Sequence, residues 1–211
     1  MALGQLMPVI IGIGGGTGSG KTTLARAIVE RYAIVGVALV DQDSYYRNQS
    51  HLSLPDRASV NYDEPSAIDH DLLLEQLREL LEGRSIKKPA YCFTSHTRIG
   101  EGEIVASQPL VVVEGLFALW EPRIRRLMAL KIYVEADPDI RFIRRLQRDV
   151  ITRGRSVQSV VEQYLETVRP MHQHYVEPTR RYADLVANNA ADSEGSSWIE
   201  PAIARVEKLI T

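Results

Sequence analysis

The sequence predicts an α/β fold of three layers, in which a five-stranded parallel sheet carries helices on both faces. Apolar, β-branched runs recur along the chain, segments with helical periodicity separate them, and a glycine-rich turn joins the first run to the first helix. Parallel strands need such crossover connections, so this alternation indicates a parallel sheet. The five predicted strands are 8–13, 35–40, 110–114, 130–135 and 183–187.

The glycine-rich turn after the first predicted strand fits the phosphate-binding pattern G-x-x-x-x-G-K-[ST], the P-loop. Its glycines let backbone N–H groups turn toward an anion, and the following helix directs its positive end to the same place. Lys21 is expected to contact the β- and γ-phosphates of a nucleoside triphosphate, and Thr22 to offer its hydroxyl to Mg²⁺. The dinucleotide-binding pattern G-x-G-x-x-G fails in every frame. The predicted phosphate-binding residues are Gly15, Gly16, Thr17, Gly18, Ser19, Gly20, Lys21, Thr22 and Thr23.

Length and composition fit one α/β domain over residues 1–211. A net charge of −2 gives no global attraction to nucleic acid or to a membrane, so neither is expected as a partner. Cys92 is the only cysteine of the sequence, which suits a reducing cytoplasm. The first apolar run lacks the charged start of a signal peptide, and no run approaches the length of a membrane span. A cytoplasmic protein is therefore expected.

Acidic and aromatic residues follow the second predicted strand. Ligands of open parallel sheets bind beyond the carboxyl ends of the strands, where Asp41 and Asp43 stand. A kinase that acts on a hydroxyl group needs a carboxylate within hydrogen-bond reach of it. Position alone makes either aspartate a candidate base, with a turn or cap acid as the alternative for each.

The middle of the chain contains three stretches with different sequence patterns. Residues 48–65 are predicted to form a polar loop, and residues 66–81 an amphipathic helix that ends before Gly83. Residues 84–108 mix apolar and polar positions, with Gly100 and Gly102 between two short candidate strands. This pattern predicts a small β-rich insertion in the α/β frame.

The third predicted strand of the sheet ends at Glu114. A buried strand rarely presents a carboxylate unless a cation or a donor meets it. Glu114 is therefore predicted to hold Mg²⁺ together with Thr22, directly or through water, the alternative being an ordinary strand-end acid.

After the fourth predicted strand, a helix is expected to begin at Asp137-Pro138 and to run to about Thr152. The helix and the residues just after it carry a cluster of arginines, in which Asp149 is the only acidic residue. Because a solvated helix normally mixes both signs, residues 141–156 are predicted to form a lid over the triphosphate, with a solvated face as the alternative. A second helix is expected from about Val157, with Pro170 kinking or ending it, and a final helix over 198–210. The cluster comprises Arg141, Arg144, Arg145, Arg148, Arg153 and Arg155.

Seven motifs in the same order resemble those of the uridine kinases, also called uridine–cytidine kinases. They span about 170 residues, and the elements Asp-Ser-Tyr-Tyr-Arg and Ser-His-Thr-Arg are far more specific than the phosphate loop. The motifs occupy residues 14–23, 42–47, 61–65, 91–98, 113–115, 148–155 and 178–184.

The resemblance implies that the protein phosphorylates the 5′-hydroxyl of uridine and cytidine, which gives UMP and CMP in pyrimidine salvage. It implies ATP or GTP as the phosphate donor and Mg²⁺ as the cofactor. It makes Asp43 the catalytic base, with Lys21 and Arg148 beside it, and adds Arg145, Arg153 and Arg155 to the ATP-binding set. It places the insertion over the nucleoside and suggests a homotetramer. The implied substrate-binding residues are Asp43, Tyr46, Tyr62, Asp63 (ribose hydroxyls), Tyr91 and His96 (pyrimidine edge), Phe93, Arg148 and Gln163.

Two other functions stay open on the sequence. One is a related P-loop kinase with another small acceptor, such as a phosphorylated pentulose or pantothenate. The other is a nucleotide-binding switch without a phosphorylation substrate. A GTPase switch is expected to carry the guanine-binding motif Asn-Lys-x-Asp, which this sequence lacks.

Overall fold

The structure is a computed structural model that describes residues 7–189 and 197–210. Its main sheet has five strands in the order β2-β5-β1-β6-β7, and every neighbouring pair is parallel. No strand end lies more than two residues from its predicted position, so the predicted parallel sheet is confirmed. The strands are β1 (Val9–Gly15), β2 (Val37–Asp41), β5 (Leu110–Glu114), β6 (Met128–Glu135) and β7 (Leu185–Asn188).

Helices cover both faces of the sheet, which confirms the three layers. Alternate side chains of a strand point to opposite faces, and in β1 Ile10 packs in one core while Ile11 and Ile13 pack in the other. One core lies under α3 (His70–Leu81) and α4 (Pro122–Arg125), and the other under α1 (Lys21–Arg31) and α8 (Glu200–Ile210). Both cores are buried apolar layers that hold the carboxyl ends of the strands in fixed register.

A two-stranded antiparallel hairpin forms outside the main sheet, from β3 (Ile86–Cys92) and β4 (Thr97–Val105). The predicted β insertion is therefore present, but its turn lies at 93–96, and both glycines lie inside β4. Gly102 has a φ of +80°, and a Cβ there would lie 2.3 Å from the backbone oxygen of Lys88. The register of the hairpin shifts at this point, which explains why glycines interrupt a strand.

Two helix boundaries differ from the prediction. Helix α3 begins at His70 because Asp69 accepts a hydrogen bond from the backbone N–H of Leu72 and caps it, while residues 65–67 form a 3₁₀ turn. The predicted loop over 48–65 contains α2 (Leu54–Ser59). A helix this short carries too little apolar periodicity to be found from sequence.

The C-terminal half is more helical than the sequence predicts. After α5 (Pro138–Ile151) and α6 (Val157–Gln163), the chain stays helical to Tyr182, with α7 (Arg169–Met171) between two wide π-type turns, 164–168 and 172–176. Pro170 therefore does not end the helix. The wide turns on both sides interrupt the regular hydrogen-bond ladder, which is where a helix tolerates proline. Across 7–189 and 197–210, no helix combines the length and the hydropathy needed to cross a membrane.

The two glycines of β4 provide a test of the hairpin. Gly100 and Gly102 both have positive φ, but a Cβ on Gly100 would meet nothing within 4 Å. We expect Gly100→Ala to destabilise the hairpin by about 1 kcal/mol through backbone strain alone, and Gly102→Ala to cost at least about 1 kcal/mol more, since Lys88 must move. Hydrogen exchange of the β3–β4 amides measures both. Equal losses would show that the close approach to Lys88 does not constrain the hairpin.

Candidate active site

The phosphate loop connects β1 to α1 and packs against the start of α5. Gly18 has a φ of +73°, and a Cβ there would lie 2.3 Å from the backbone oxygen of Arg141. The Asn189 amide donates to the backbone oxygen of Ser19 at 2.8 Å and ties the loop to the end of β7. Only glycine allows this approach, so the loop glycines bring the arginine-bearing helix onto the anion site.

Lys21, the first residue of α1, lies between the loop and two carboxylates. Its ammonium donates to the backbone oxygen of Gly16 at 3.0 Å. Burial lowers the pKa of Lys21, while the nearby carboxylates of Glu114 and Asp43 oppose that shift. The lysine therefore faces both acids that the sequence analysis selected.

Thr22 and Glu114 meet at the carboxyl end of the sheet. The Thr22 hydroxyl donates to Glu114 Oε1 at 2.9 Å. Burial raises the pKa of Glu114, and the negative charge of Asp43 adds to this, while Lys21 opposes it. Two adjacent oxygen ligands in a negatively charged surrounding are a donor set that fits Mg²⁺.

Asp41 and Asp43 have different surroundings, although position alone did not separate them. Asp41 accepts from Lys88 at 2.5 Å and from the Ser44 hydroxyl, so it anchors the hairpin to the end of β2. Asp43 instead faces the cations: burial raises its pKa, while Lys21, Arg153 and Arg148 oppose the shift. Asp43 is thus the aspartate whose pKa responds to Lys21 of the phosphate loop.

Five aromatic residues gather next to Asp43. The hairpin and the loops around 46 and 62 bring them together: ring centroids lie 5.0 Å apart for Tyr46 and Tyr91, and 5.4 Å apart for the stacked pair Tyr62 and His96. The Tyr91 hydroxyl is buried and forms no hydrogen bond of good geometry among the described residues, although Tyr62 lies near enough to help burial raise the pKa of Tyr91. Burial and the charge of Arg155 lower the pKa of His96, so its imidazole is neutral near pH 7. The cluster is completed by Phe93, which packs on Tyr91.

Asp63 lies at the border between the aromatic cluster and the arginines. It is buried, and burial raises its pKa, while Arg145 and a hydrogen bond from Thr167 oppose the shift. Gln163, from the same helical segment as Thr167, accepts from Arg145 at 2.8 Å and also from Arg155. Gln163 is therefore engaged by the arginines in this structure.

Helix α5 turns its charged face inward. Arg141, Arg145 and Asp149 are buried, whereas Ile143 on the other face is 48% exposed. The Arg145 guanidinium reaches the Thr17 hydroxyl at 3.3 Å and so touches the phosphate loop. Helices of globular proteins usually bury their apolar face; here the buried face collects positive charge beside the anion site.

Asp149 is fully buried and holds four guanidinium groups together. Its carboxylate oxygens lie 2.9 Å from Arg148, 3.3 Å from Arg153, 3.5 Å from Arg145 and 4.0 Å from Arg155. From the sequence, Asp149 was recognised only as the single acidic residue within the arginine cluster. The spacing Arg145–Asp149–Arg153 at i, i+4 and i+8 was the signal that could have found it.

Two residues of the site differ from expectation. His172 was not among the predicted site residues, but a Cβ on Gly16 would lie 3.0 Å from its Cε1, so it borders the phosphate loop. Burial, together with the charges of Arg141 and Lys21, lowers the pKa of His172 to about 4, which keeps the imidazole neutral. Arg144 points away from Asp149 and toward Asn189.

The sequence profile of the Phosphoribulokinase / Uridine kinase family matches residues 10–194, the stretch that carries all of these groups. The chain belongs to this family. Two relatives named uridine kinase, from Chloroflexus aurantiacus and Halalkalibacterium halodurans, are similar over most of both chains. The first is 46% identical over 203 residues, covering 96% of this chain and 96% of the relative. The second is 49% identical over 179 residues, covering 85% of each.

A solved structure shows the same fold independently of sequence. Phosphoribulokinase from Rhodobacter spheroides superposes with a TM-score of 0.63 at 20% identity, over 92% of this chain and 75% of that one. The P-loop kinase fold that the sequence predicts is therefore confirmed. At this identity the likeness concerns the fold alone.

Asp149→Asn tests the account of the arginine cluster in this family member. Removing a buried anion leaves four guanidinium groups without their shared partner, so we expect a loss of about 3 kcal/mol in the free energy of unfolding, measured in urea. Asp139→Asn is the matched control, because Asp139 is an exposed acid in the first turn of α5. Its loss of helix-dipole stabilisation is expected to stay below about 1 kcal/mol. Equal losses in both variants would refute the bridging role of Asp149.

Proposed function

We propose that the protein transfers the γ-phosphoryl group of ATP or GTP to the 5′-hydroxyl of uridine and cytidine, giving UMP and CMP. The observation that carries the proposal is the place of Asp43. Its charge acts on Lys21 of the phosphate loop on one side, and on Tyr46 and Tyr91 of the aromatic cluster on the other. A carboxylate between a triphosphate site and a ring-binding site suits a nucleoside acceptor. The names of the two bacterial relatives agree with this.

On the donor side, the amides of residues 15–20, the Lys21 ammonium and the first turn of α1 with Thr22 and Thr23 hold the phosphates. Thr22 and Glu114 are the residues that would hold Mg²⁺, which neutralises phosphate charge when bound. Arg145, Arg153 and Arg155 close over the phosphates from the lid, residues 141–156. The planar guanidinium group of an arginine presents paired N–H donors that match the spacing of phosphate oxygens.

On the acceptor side, Asp43 accepts the hydrogen bond of the 5′-hydroxyl and takes its proton as the phosphoryl group arrives. A raised pKa makes this carboxylate a stronger base than an exposed aspartate. Arg148 stabilises the charge on the group in transfer in this proposal, and the effect of its positive charge on both Asp43 and Lys21 supports that role. Exclusion of water by the lid then favours the nucleoside as acceptor.

The nucleoside lies under the hairpin in this proposal. Asp63 accepts from the ribose hydroxyls, which suits a carboxylate because it takes two hydrogen bonds at once. The Tyr91 hydroxyl, which forms no hydrogen bond of good geometry among the described residues, and the neutral His96 form hydrogen bonds with the pyrimidine edge. Since a neutral imidazole both donates and accepts, His96 suits the 4-oxo group of uracil and the 4-amino group of cytosine. The remaining contacts of the nucleoside come from Tyr46, Tyr62, Phe93, Arg148 and Gln163.

We further propose that residues 1–211 act as one kinase domain, with the 84–108 insertion over the nucleoside, in the cytoplasm and in pyrimidine salvage. The assembly is a homo-oligomer, a tetramer by family resemblance. Exposed apolar side chains on the lid and on the helical segment that follows it support an assembly, since exposed apolar surface favours association. They include Ile143, Ile151, Val157 and Leu165. The net charge of −2 gives no support for nucleic acid or membrane partners.

Product analysis tests the function directly. The purified protein with ATP and Mg²⁺ is expected to form UMP from uridine and CMP from cytidine, and to leave ribulose 5-phosphate and pantothenate unchanged. Chromatography of the products measures this. Faster phosphorylation of either of the latter acceptors, or nucleotide binding without any product, would overturn the proposal.

Asp43→Asn tests the base. Because general base catalysis contributes about 10²–10⁴-fold, kcat for uridine is expected to fall by about a thousandfold, with little change in the KM for ATP. Asp41→Asn is the matched control two residues away, and its effect is expected to stay within about tenfold since Asp41 is held by Lys88. Near-normal turnover by Asp43→Asn would remove it as the base.

The pH dependence gives a second test of Asp43. Catalysis needs the ionised carboxylate, and its pKa lies above the usual 3.8. As the pH falls through that raised pKa the base is lost, so the acid-side decline of kcat/KM for uridine is expected to begin at a higher pH than an exposed aspartate would give. The acid-side decline of the residual Asp43→Asn activity should lose the contribution of Asp43 and keep only that of Glu114 and Asp63, whose pKa values burial also raises. An unchanged acid limb in this variant would assign the titration to another group.

A further inference from the structure

The wide helical turn at 164–168 brings one hydroxyl group against Asp63. Thr167 Oγ1 lies 3.2 Å from Asp63 Oδ2 and 3.1 Å from the backbone oxygen of Gln163, one helical turn earlier. A threonine hydroxyl has one proton, so it donates to one of these oxygens at a time. Thr167 therefore connects the carboxylate to the helix that also carries Gln163.

The surroundings of Asp63 leave the orientation of its carboxylate dependent on the hydrogen bond from Thr167. Asp63 is 8% exposed, and within the described residues the Thr167 hydroxyl is the one hydrogen-bond donor to its carboxylate. Arg145 and Arg155 attract the carboxylate by charge, while Asp149 repels it. Charge alone does not fix the rotation of a carboxylate, whereas a hydrogen bond to one oxygen does. With Oδ2 engaged by Thr167, Oδ1 is the oxygen that remains for a ligand.

We infer that Thr167 is a positioning residue for nucleoside recognition: its hydroxyl orients the Asp63 carboxylate so that this carboxylate accepts from the ribose hydroxyls. The inference rests on the proposed function, in which Asp63 binds the ribose. It adds a residue from the wide helical turn, which lies outside the seven motifs and was not among the predicted site residues.

Thr167→Val tests the inference, because valine keeps the shape and removes the hydroxyl. The KM for uridine is expected to rise about tenfold, the loss of one hydrogen bond to a charged group, with kcat within twofold and the KM for ATP unchanged. Thr167→Ser, which retains the hydroxyl, should restore the KM to within about threefold. Thr179→Val is the matched control, since the Thr179 hydroxyl donates to the backbone oxygen of Val176 in the same helical segment and contacts no site residue in this account. Its KM should not change.

A nucleoside without ribose hydroxyls separates positioning from structure. With 2′,3′-dideoxyuridine, Asp63 has nothing to accept from, so Thr167→Val and the unmodified protein are expected to show equal kcat/KM. A loss as large as that with uridine, or no loss with uridine, would overturn the role of Thr167. Absence of uridine phosphorylation by the unmodified protein would overturn the proposed function itself, and is seen before any variant is compared.

Discussion

The close approach of α5 to the phosphate loop is the constraint on which the site depends. Gly18 admits the backbone of Arg141 at a distance that no side chain would allow. Because of this approach, the charged face of α5 points to the place where a triphosphate binds, and Arg145 reaches Thr17 of the loop. Ile143 and Ile151 of the same helix are exposed. The most buried positions of α5 are therefore charged, whereas a helix usually buries its apolar face.

Charge balance explains how such a helix remains folded without its ligand. Four guanidinium groups surround the single carboxylate of Asp149, which leaves an excess of positive charge next to the loop. The anion gathers the arginines and limits their repulsion, but does not neutralise them. A triphosphate would supply the remaining negative charge, so binding and lid ordering are expected to be coupled. Asp63 and Gln163 extend the same network to the nucleoside side.

Much of this arrangement was predictable from the sequence, because it follows from local pattern. The strands come from apolar runs, and the phosphate loop from a motif with its strand and helix context. What could not be predicted depends on contacts distant in the chain. Asp41 and Asp43 differ because Lys88 of the hairpin holds Asp41, whereas Asp43 is buried near cations from other segments. The roles of Asp149 and Thr167 depend on side-chain geometry, and the wide turns around Pro170 depend on tertiary packing that overrides a local helix-breaking signal.

The central claim is that the Asp43 carboxylate connects the triphosphate site to the nucleoside site. A crystal structure with cytidine and a non-hydrolysable ATP analogue tests this claim most directly. The distance between the Asp43 carboxylate and the nucleoside 5′-oxygen is the quantity to measure. The account predicts about 2.6–3.2 Å, with the 5′-oxygen directed at the γ-phosphorus. A nucleoside bound elsewhere, or a 5′-oxygen out of reach of Asp43 in the closed complex, would contradict it.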